Sequence, residues 1–313
     1  VSADWTSPVT NRLLIEASGI HRVERWGNMH LQTGKGDNID ALAPGITGIV
    51  DNPLLAAGAG PNYRAGGGTF NNSWNWNLHY RFAASYITGS HNFKVGFNNA
   101  YLHHENTTYT NPATEYYFNF ANGVPSQVVY RIPRTVAVDV DYDMGLFAQD
   151  RWTVGRWTLA GGVRFDAYKN HFPESSITPT FLAPNLNASF PKIDNISWKD
   201  VTPKLGATYD LFGNGKTALK VTANKYLEGM GTTGFGPAQV TDAPNPLNRL
   251  SGTAAPFPTR TWADANGNSV PDCNLQNYQA NGECLALTNA AIFGTIAPGT
   301  TYDPELLNGW GKR

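Results

Sequence analysis

The stretch VDVDYDMGLFAQDRWTVGRWTLAGGVRFD, from Val138 to Asp166, alternates strictly, turns tightly and alternates again. Val138, Val140, Tyr142, Met144, Leu146 and Ala148 fall on one side, and Asp139, Asp141, Asp143, Gly145 and Gln149 on the other, with Phe147 the apolar exception. A period of two is the signature of a strand. The run from Val138 to Thr153 far exceeds the usual strand of roughly 5–6 residues, and a second run begins at Trp157. Long paired strands with one apolar and one charged face suit a wall between lipid and water.

The same pattern extends outward. Strands are predicted over about Thr10–Gly19, Trp74–Thr88, His91–Glu105, Ala137–Thr153, Trp157–His171, Trp198–Phe212 and Lys216–Glu228. Gly89-Ser90, Val154-Gly155-Arg156 and Gly213-Asn214-Gly215 make short joins, the last holding an Asn-Gly pair suited to positive φ. The connections Ile20–Ser73, Asn106–Val136, Phe172–Ser197 and everything after Gly229 are long. Short and long connections alternate when all turns lie at one end of a sheet and all loops at the other, as in outer-membrane barrels. Trp152 and Trp157 flank a short turn, where an aromatic girdle would meet the headgroups. A soluble β-sandwich also alternates, but its strands are shorter and its loops less lopsided.

Composition agrees. The 313 residues include 32 Gly and 20 Pro, only 15% are charged, and no helical stripe is long enough to organise a core. A net charge of −1 without blocks of like charge gives no footprint for nucleic acid. The chain has neither a signal peptide nor an apolar run long enough for a membrane helix; a missing signal usually means cytoplasm, but the lack of a starting Met at Val1 makes it read as cut from something longer.

The segments GLFAQDRWTVGRWTLAGGVRFD, Gly145–Asp166, and WKDVTPKLGATYDLFGNGKTALKVTANKY, Trp198–Tyr226, resemble paired barrel strands of TonB-dependent outer-membrane receptors. They are most similar to Oar-like receptors, which carry an N-terminal carboxypeptidase-regulatory-like domain. WTSPVTNRLLIEAS, Trp5–Ser18, resembles an earlier strand of the same barrel. The resemblance implies an all-β fold, an antiparallel transmembrane β-barrel portion of seven to eight strands out of about 22, with long external loops. Residues 1–313 then form a partial receptor barrel in which 230–313 is a long extracellular loop region. No plug domain, energy-coupling box, regulatory-like domain or terminal aromatic signal is found in the sequence, so an internal receptor fragment is expected.

DANGNSVPD, Asp264–Asp272, is the sharpest local motif. Asp264, Asn266, Asn268 and Asp272, with the Val270 carbonyl and a turn eased by Gly267, offer hard oxygens at a spacing that resembles the calcium loops of thrombospondin type 3 repeats. Two Asn in place of Asp would make a Ca²⁺ site weak, roughly millimolar; the same residues also build a metal-free Asx turn. Cys273 and Cys284 fit a local disulfide worth roughly 3 kcal/mol in the chain-entropy model, the alternative being two free thiols.

Other motifs fail on context. Gly229–Gly234 satisfies GxGxxG but runs into Gly236-Pro237 rather than a helix, and reads as a loop entry. His103 and His104 are adjacent in a strand and so point to opposite faces; with Glu105 they read as solvated residues near the outer rim. Asp139 and Asp141 read as lumen charges. Without GxSxG, HExxH or a P-loop, no enzyme is expected.

The resemblance implies a transporter in the outer membrane of a Gram-negative-type cell, surrounded by lipid, opened by a TonB-type energy-coupling complex acting through missing regions, and taking up a scarce solute such as a siderophore or glycan. Tyr116, Tyr117 and Phe118 are the expected ligand contacts, since aromatic rings stack on sugars and apolar ligands. A plug-less adhesion or structural barrel and a soluble calcium-stabilised carbohydrate-binding β-domain are the competing readings.

Overall fold

The computed structural model describes residues 1–27, 47–51, 62–64, 70–109, 115–227, 245–252, 257–296, 305 and 308–311. In chain order the strands are β1 (Ser2–Pro8), β2 (Leu13–Gly27), β3 (Gly48–Asp51), β4 (Asn62–Arg64), β5 (Phe70–Thr88), β6 (His91–Tyr109), β7 (Tyr116–Ala121) and β8 (Val124–Tyr130). They continue with β9 (Arg134–Val154), β10 (Trp157–Phe172), β11 (Ser175–Ile177), β12 (Ala188–Phe190), β13 (Ile193–Asp210), β14 (Ala218–Asn224), β15 (Thr259–Thr261) and β16 (Asn308–Trp310). The GxGxxG segment, Gly229–Gly234, lies outside the described residues.

The main sheet is an antiparallel meander in the order β1-β2-β5-β6-β9-β10-β13-β14, with β16 added in parallel to β13. Its backbone groups are paired with neighbouring strands over very long stretches, 21 residues in β9 and 19 each in β5 and β6. The path runs from β1 to β14 without returning on itself, so both ends of the sheet are edges among the described residues.

Local chemistry sets the turns at one end. Gly89 and Gly155 adopt φ of 54° and 55°, which a two-residue hairpin requires and glycine supplies without steric cost. In the β13–β14 turn the Asp210 carboxylate accepts from the Gly213 and Gly215 amides at 3.0 and 2.9 Å. The first hairpin corrects the sequence reading, which began a strand at Thr10. Thr10 instead caps a turn, its hydroxyl accepting from the Leu13 amide at 2.9 Å, and β1 precedes it.

One face of the meander carries Phe82, Phe93, Val95, Leu146, Val163, Val201 and Leu205, all exposed. Trp152, Trp157 and Tyr86 edge this face at the turn end, Trp157 packing 4.6 Å from Tyr209. From Trp152 up to Tyr142 the band is about 25 Å tall at about 3.3 Å per residue and a tilt of about 40°, the height of a barrel's lipid-facing surface. A sandwich would cover such a face with a second sheet.

A bulge ends the band. Against both β6 and β10, β9 carries an extra residue near Asp141. A bulge flips the face of every residue beyond it. Val138 and Val140 therefore turn inward, where Val140, 4% exposed, packs with Tyr168, Ile196 and Trp198. Asp139 and Asp141 turn outward, so the expectation that they are lumen charges is corrected: the stripe that looked continuous in sequence changes sides at Asp141.

Beyond the opposite end of the meander, the long connections fold together. The segment Asn106–Val136, expected only as a long connection, contains the hairpin β7–β8, with Asn122 and Gly123 at φ of 54° and 77°. That hairpin joins β15, β3 and β4 in a five-stranded sheet of order β15-β8-β7-β3-β4. The largest buried apolar cluster lies here, drawing Phe118, Val128 and Tyr130 from one connection, Leu182 from the next, and Trp262 and Phe293 from the last. We refer to this unit as the cap.

The exposed apolar band and the two sheet edges lead to a direct expectation. Produced by itself, the chain requires detergent or lipid to stay dispersed; a monodisperse monomer in size-exclusion chromatography without detergent would overturn the membrane reading.

Candidate functional site

The cap carries most of the residues singled out from sequence. Tyr116, Tyr117 and Phe118 lie on β7, where alternation separates them. Tyr116 and Phe118 share the core side, 5.6 Å apart between ring centroids, and Phe118 lies 4.9 Å from Trp262. Phe118 is 3% exposed, whereas Tyr116 and Tyr117 are half-buried. Burial pushes the Tyr117 hydroxyl above its ordinary pKa, partly offset by the nearby Arg131 cation. Burial in turn brings the Arg131 guanidinium down to about 10.

Sequence reasoning missed the residue that organises the last connection. Arg260, on β15, is fully buried; its Nε donates to the Leu285 carbonyl at 2.9 Å and its Nη2 to the Gln279 carbonyl at 3.0 Å. Its Nη1 reaches the Asn277 carbonyl at 3.0 Å, the Asn274 carbonyl at 3.3 Å and the Tyr130 hydroxyl at 3.3 Å. Arginine alone offers five donors in a fixed fork, so one side chain closes the loop's inward-facing carbonyls. Nothing in the local sequence, PTRTW, sets this arginine apart from a surface one.

Cys273 and Cys284 form a disulfide with a Cα–Cα distance of 5.9 Å, closing the same loop. Beside it, Asp264, Asn266, Asn268 and Asp272 converge. The Asp264 carboxylate accepts from the Asn268 and Ser269 amides at 3.1 and 2.9 Å, and Asp272 Oδ2 accepts from the Asn266 and Asn268 side-chain amides at 2.6 and 3.0 Å. Val270 donates its amide to Asn268 Oδ1 at 2.8 Å. Glu283, which the sequence did not flag, holds this loop from across the disulfide, accepting from the Ala265 amide at 2.8 Å and the Asp272 amide at 3.2 Å. Both Asn side chains turn their amide nitrogens to Asp272 while their oxygens accept from the Asn268 and Val270 amides, which is the bonding of a metal-free Asx turn; Ca²⁺ would need those amides rotated to present oxygen. Among the described residues no group of three or more His, Cys, Asp or Glu is placed to hold a metal ion, so any ion here would depend on amide and carbonyl oxygens as well as the two aspartates.

Two further carboxylates tie the connections together. Glu115 is buried and accepts from the Phe181 and Leu182 amides, both at 2.9 Å, joining two connections. Asp51 accepts from the Asn122 and Gly123 amides at 3.0 and 2.9 Å, fastening β3 to the β7–β8 turn.

Between cap and band, the bulge sets a polar belt on the outer face. Asp139 lies 2.5 Å from His103 Nδ1 and 3.4 Å from His171 Nε2, and Asp141 lies 2.9 Å from His171 Nδ1. Trp74 packs against His103 with ring centroids 5.3 Å apart. The solvated reading of the histidine pair is corrected: His104 points inward, is 7% exposed and bonds Asn75, while His103 is engaged by Asp139.

A single meander with an apolar outer band, a polar belt above it and folded connections at one end has the construction of a membrane β-barrel wall. The family model for the TonB dependent receptor-like β-barrel matches residues 25–282, and the chain belongs to that family. No curated protein and no solved structure matches it.

Two outcomes are expected. Replacing Arg260 with Met strands several buried carbonyls and costs the cap roughly 3 kcal/mol or more, read as loss of the near-UV signal and rapid proteolysis of the cap while strand content is retained. Burial also raises the hydroxyl pKa of Tyr117, Tyr130 and Tyr278. The folded cap therefore keeps these protons where the unfolded chain has released them. Its stability from these groups is fully present below about pH 10 and falls as pH rises above it, with Arg131 opposing in the same range. Tyrosinate absorbance followed against pH should show a delayed fraction released together with cap unfolding.

Proposed function

We propose that this chain is wall and cap of an outer-membrane receptor that takes up a scarce solute, a siderophore, glycan or similar molecule, in the outer membrane of a Gram-negative-type cell. The observation that carries the reading is the 25–282 family match laid over an open meander whose long connections, where described, fold together at one end. Uptake is energised by a TonB-type inner-membrane complex acting through regions other than these strands, and the protein is of the Oar-like type with a carboxypeptidase-regulatory-like domain. It performs no covalent chemistry on its cargo. In this reading the cap is the first surface the solute meets. Tyr116 and Tyr117 contact it, stacking being the interaction aromatic rings offer to sugars and apolar ligands, and Phe118 supports them from the core.

We further propose that the Asp264–Asp272 loop holds a weak Ca²⁺ ion, with Asp264, Asn266, Asn268, Asp272 and the Val270 carbonyl as ligands. The ion would add to the loop what the disulfide supplies on its other side, a fixed shape at the cap surface.

Deleting the energy-coupling protein in the native host should abolish uptake of the cognate solute while the receptor still reaches the outer-membrane fraction. Uptake that persists without coupling would support a passive or adhesive barrel instead. Millimolar Ca²⁺ should raise the cap's melting temperature, and Asp264→Asn with Asp272→Asn should remove that rise; an identical increase in the double variant would count against the ion.

A further inference from the structure

The outer belt holds an arrangement that the barrel wall does not need for pairing or for contact with lipid. At the bulge, His103 on β6 and His171 on β10 flank Asp139 and Asp141 on β9. Each imidazole has a carboxylate near both of its nitrogens. Asp139 lies 2.5 Å from His103 Nδ1, and Glu105 lies 3.9 Å from its Nε2. Asp141 lies 2.9 Å from His171 Nδ1, and Asp139 lies 3.4 Å from its Nε2. A neutral imidazole carries a single N–H, so only the protonated ring offers a donor and a positive charge to a carboxylate on each side.

Only the His103–Asp139 contact is aligned as a hydrogen bond. The approaches to His171 are oblique, and His171 Nδ1 and Asp141 Oδ2 are buried without a hydrogen-bond partner, so attraction there depends on charge on the ring. The two imidazoles are 16% and 12% exposed, dry enough to strengthen charge interactions and open enough to exchange protons with the medium. Other charged groups on this outward side are engaged elsewhere. Lys169 donates to Asp194 at 3.1 Å, with Lys192 near the same carboxylate, and the Arg25 guanidinium stands 6.0 Å over the Trp74 ring. From β5, Trp74 and Trp76 cover His103 at 5.3 and 6.4 Å between ring centroids. Tyr101 and Tyr142 follow toward the apolar band, and His104 faces the opposite side. Each of β6, β9 and β10 is paired on both edges at this level. A strand added beyond β1 or β14, or protein behind the inner face, would not touch the cluster.

We propose that His103, Asp139, His171 and Asp141 form a proton-dependent clasp across β6, β9 and β10 that fixes the bulge. With both rings protonated, two cations oppose Glu105, Asp139 and Asp141. With both neutral, the three carboxylates share one patch without a cation, and their repulsion loosens it. A proton held by the closed clasp and released on opening stabilises the closed form at lower pH, and that contribution is lost as pH rises through the range in which imidazole gives up its proton. Since the bulge turns Val138 and Val140 into the core, the clasp sets how firmly β9 is seated where the wall meets the cap. The inference stands on the belt alone and is independent of what the protein takes up.

The test is hydrogen exchange of the chain in non-ionic detergent at about pH 5.5 and about pH 8, on either side of that range. It is read as protection factors for the amides of residues 138–142, which remove the intrinsic pH dependence of exchange. Protection is expected to fall roughly tenfold or more at the higher pH. His103→Gln and His171→Gln keep a polar side chain without a titrating ring; each should reduce the pH dependence, and the double variant should abolish it. His171→Lys, a cation at both pH values, should retain protection at both, which a merely space-filling histidine would not predict. His91→Gln removes the histidine 2.6 Å from Asp150 at the turn end and should leave the pH dependence at 138–142 intact. Equal protection of the parent at the two pH values, or an undiminished pH dependence in the glutamine variants, would overturn the clasp.

Discussion

Everything in the main sheet follows from the need to pair backbone amides and carbonyls where no water is available to do so. In hydrocarbon each unmade backbone hydrogen bond costs several kcal/mol, which leaves long ladders between neighbouring strands as the solution open to an extended chain. The uninterrupted registers between β5 and β6 and between β10 and β9 up to Lys169 meet that need. Once the ladders are fixed, one face must be apolar, the turns must be tight, and irregular chain must collect beyond the ends of the band. The two remaining edges, β1 and β14, are where the same constraint is not met within this sheet.

Above the band the physics changes, and so does the structure. The cap sits where water is present, and it is stabilised as a soluble domain is, by burying Phe118, Tyr130, Trp262 and Phe293 together. Its polar interior depends on a few groups that each satisfy several partners. Arg260 serves carbonyls, Glu115 and Asp51 serve amides, and the disulfide closes the loop around Arg260. The bulge at Asp141 is the transition between the two regimes. It turns the valines inward to the core and the aspartates outward to the histidines of the belt, so one extra residue changes the outer surface from lipid-compatible to polar.

The family relation and the geometry converge on a barrel wall whose two faces have different work. The outer face matches lipid below and a polar layer above. The inner face carries charges of both signs, with Arg81 in the row of Asp166 and Asp200 and Glu16 paired with Lys94 nearer the turns.

The sequence by itself determined the strands from Trp74 to Phe212, the short turns at Gly89 and Gly155, the strict inside-outside alternation below the bulge and the membrane character of the fold. These are local properties: period two, glycine at positive φ and aromatic residues at strand ends are all written within a few residues of one another. The hairpin at Asn122-Gly123 was missed in the sequence, where Asn106–Val136 read only as a long connection, although its turn dipeptide sits between apolar runs. Only the tertiary structure decided the side on which Val138, Val140, Asp139 and Asp141 fall, because a bulge is defined against the partner strands and leaves no mark in its own alternation. It alone showed that Phe118 is core and that Arg260 and Glu283 organise the last connection. Each of these depends on residues far apart in sequence meeting across strands or connections, a relation set by register and packing that no single segment encodes.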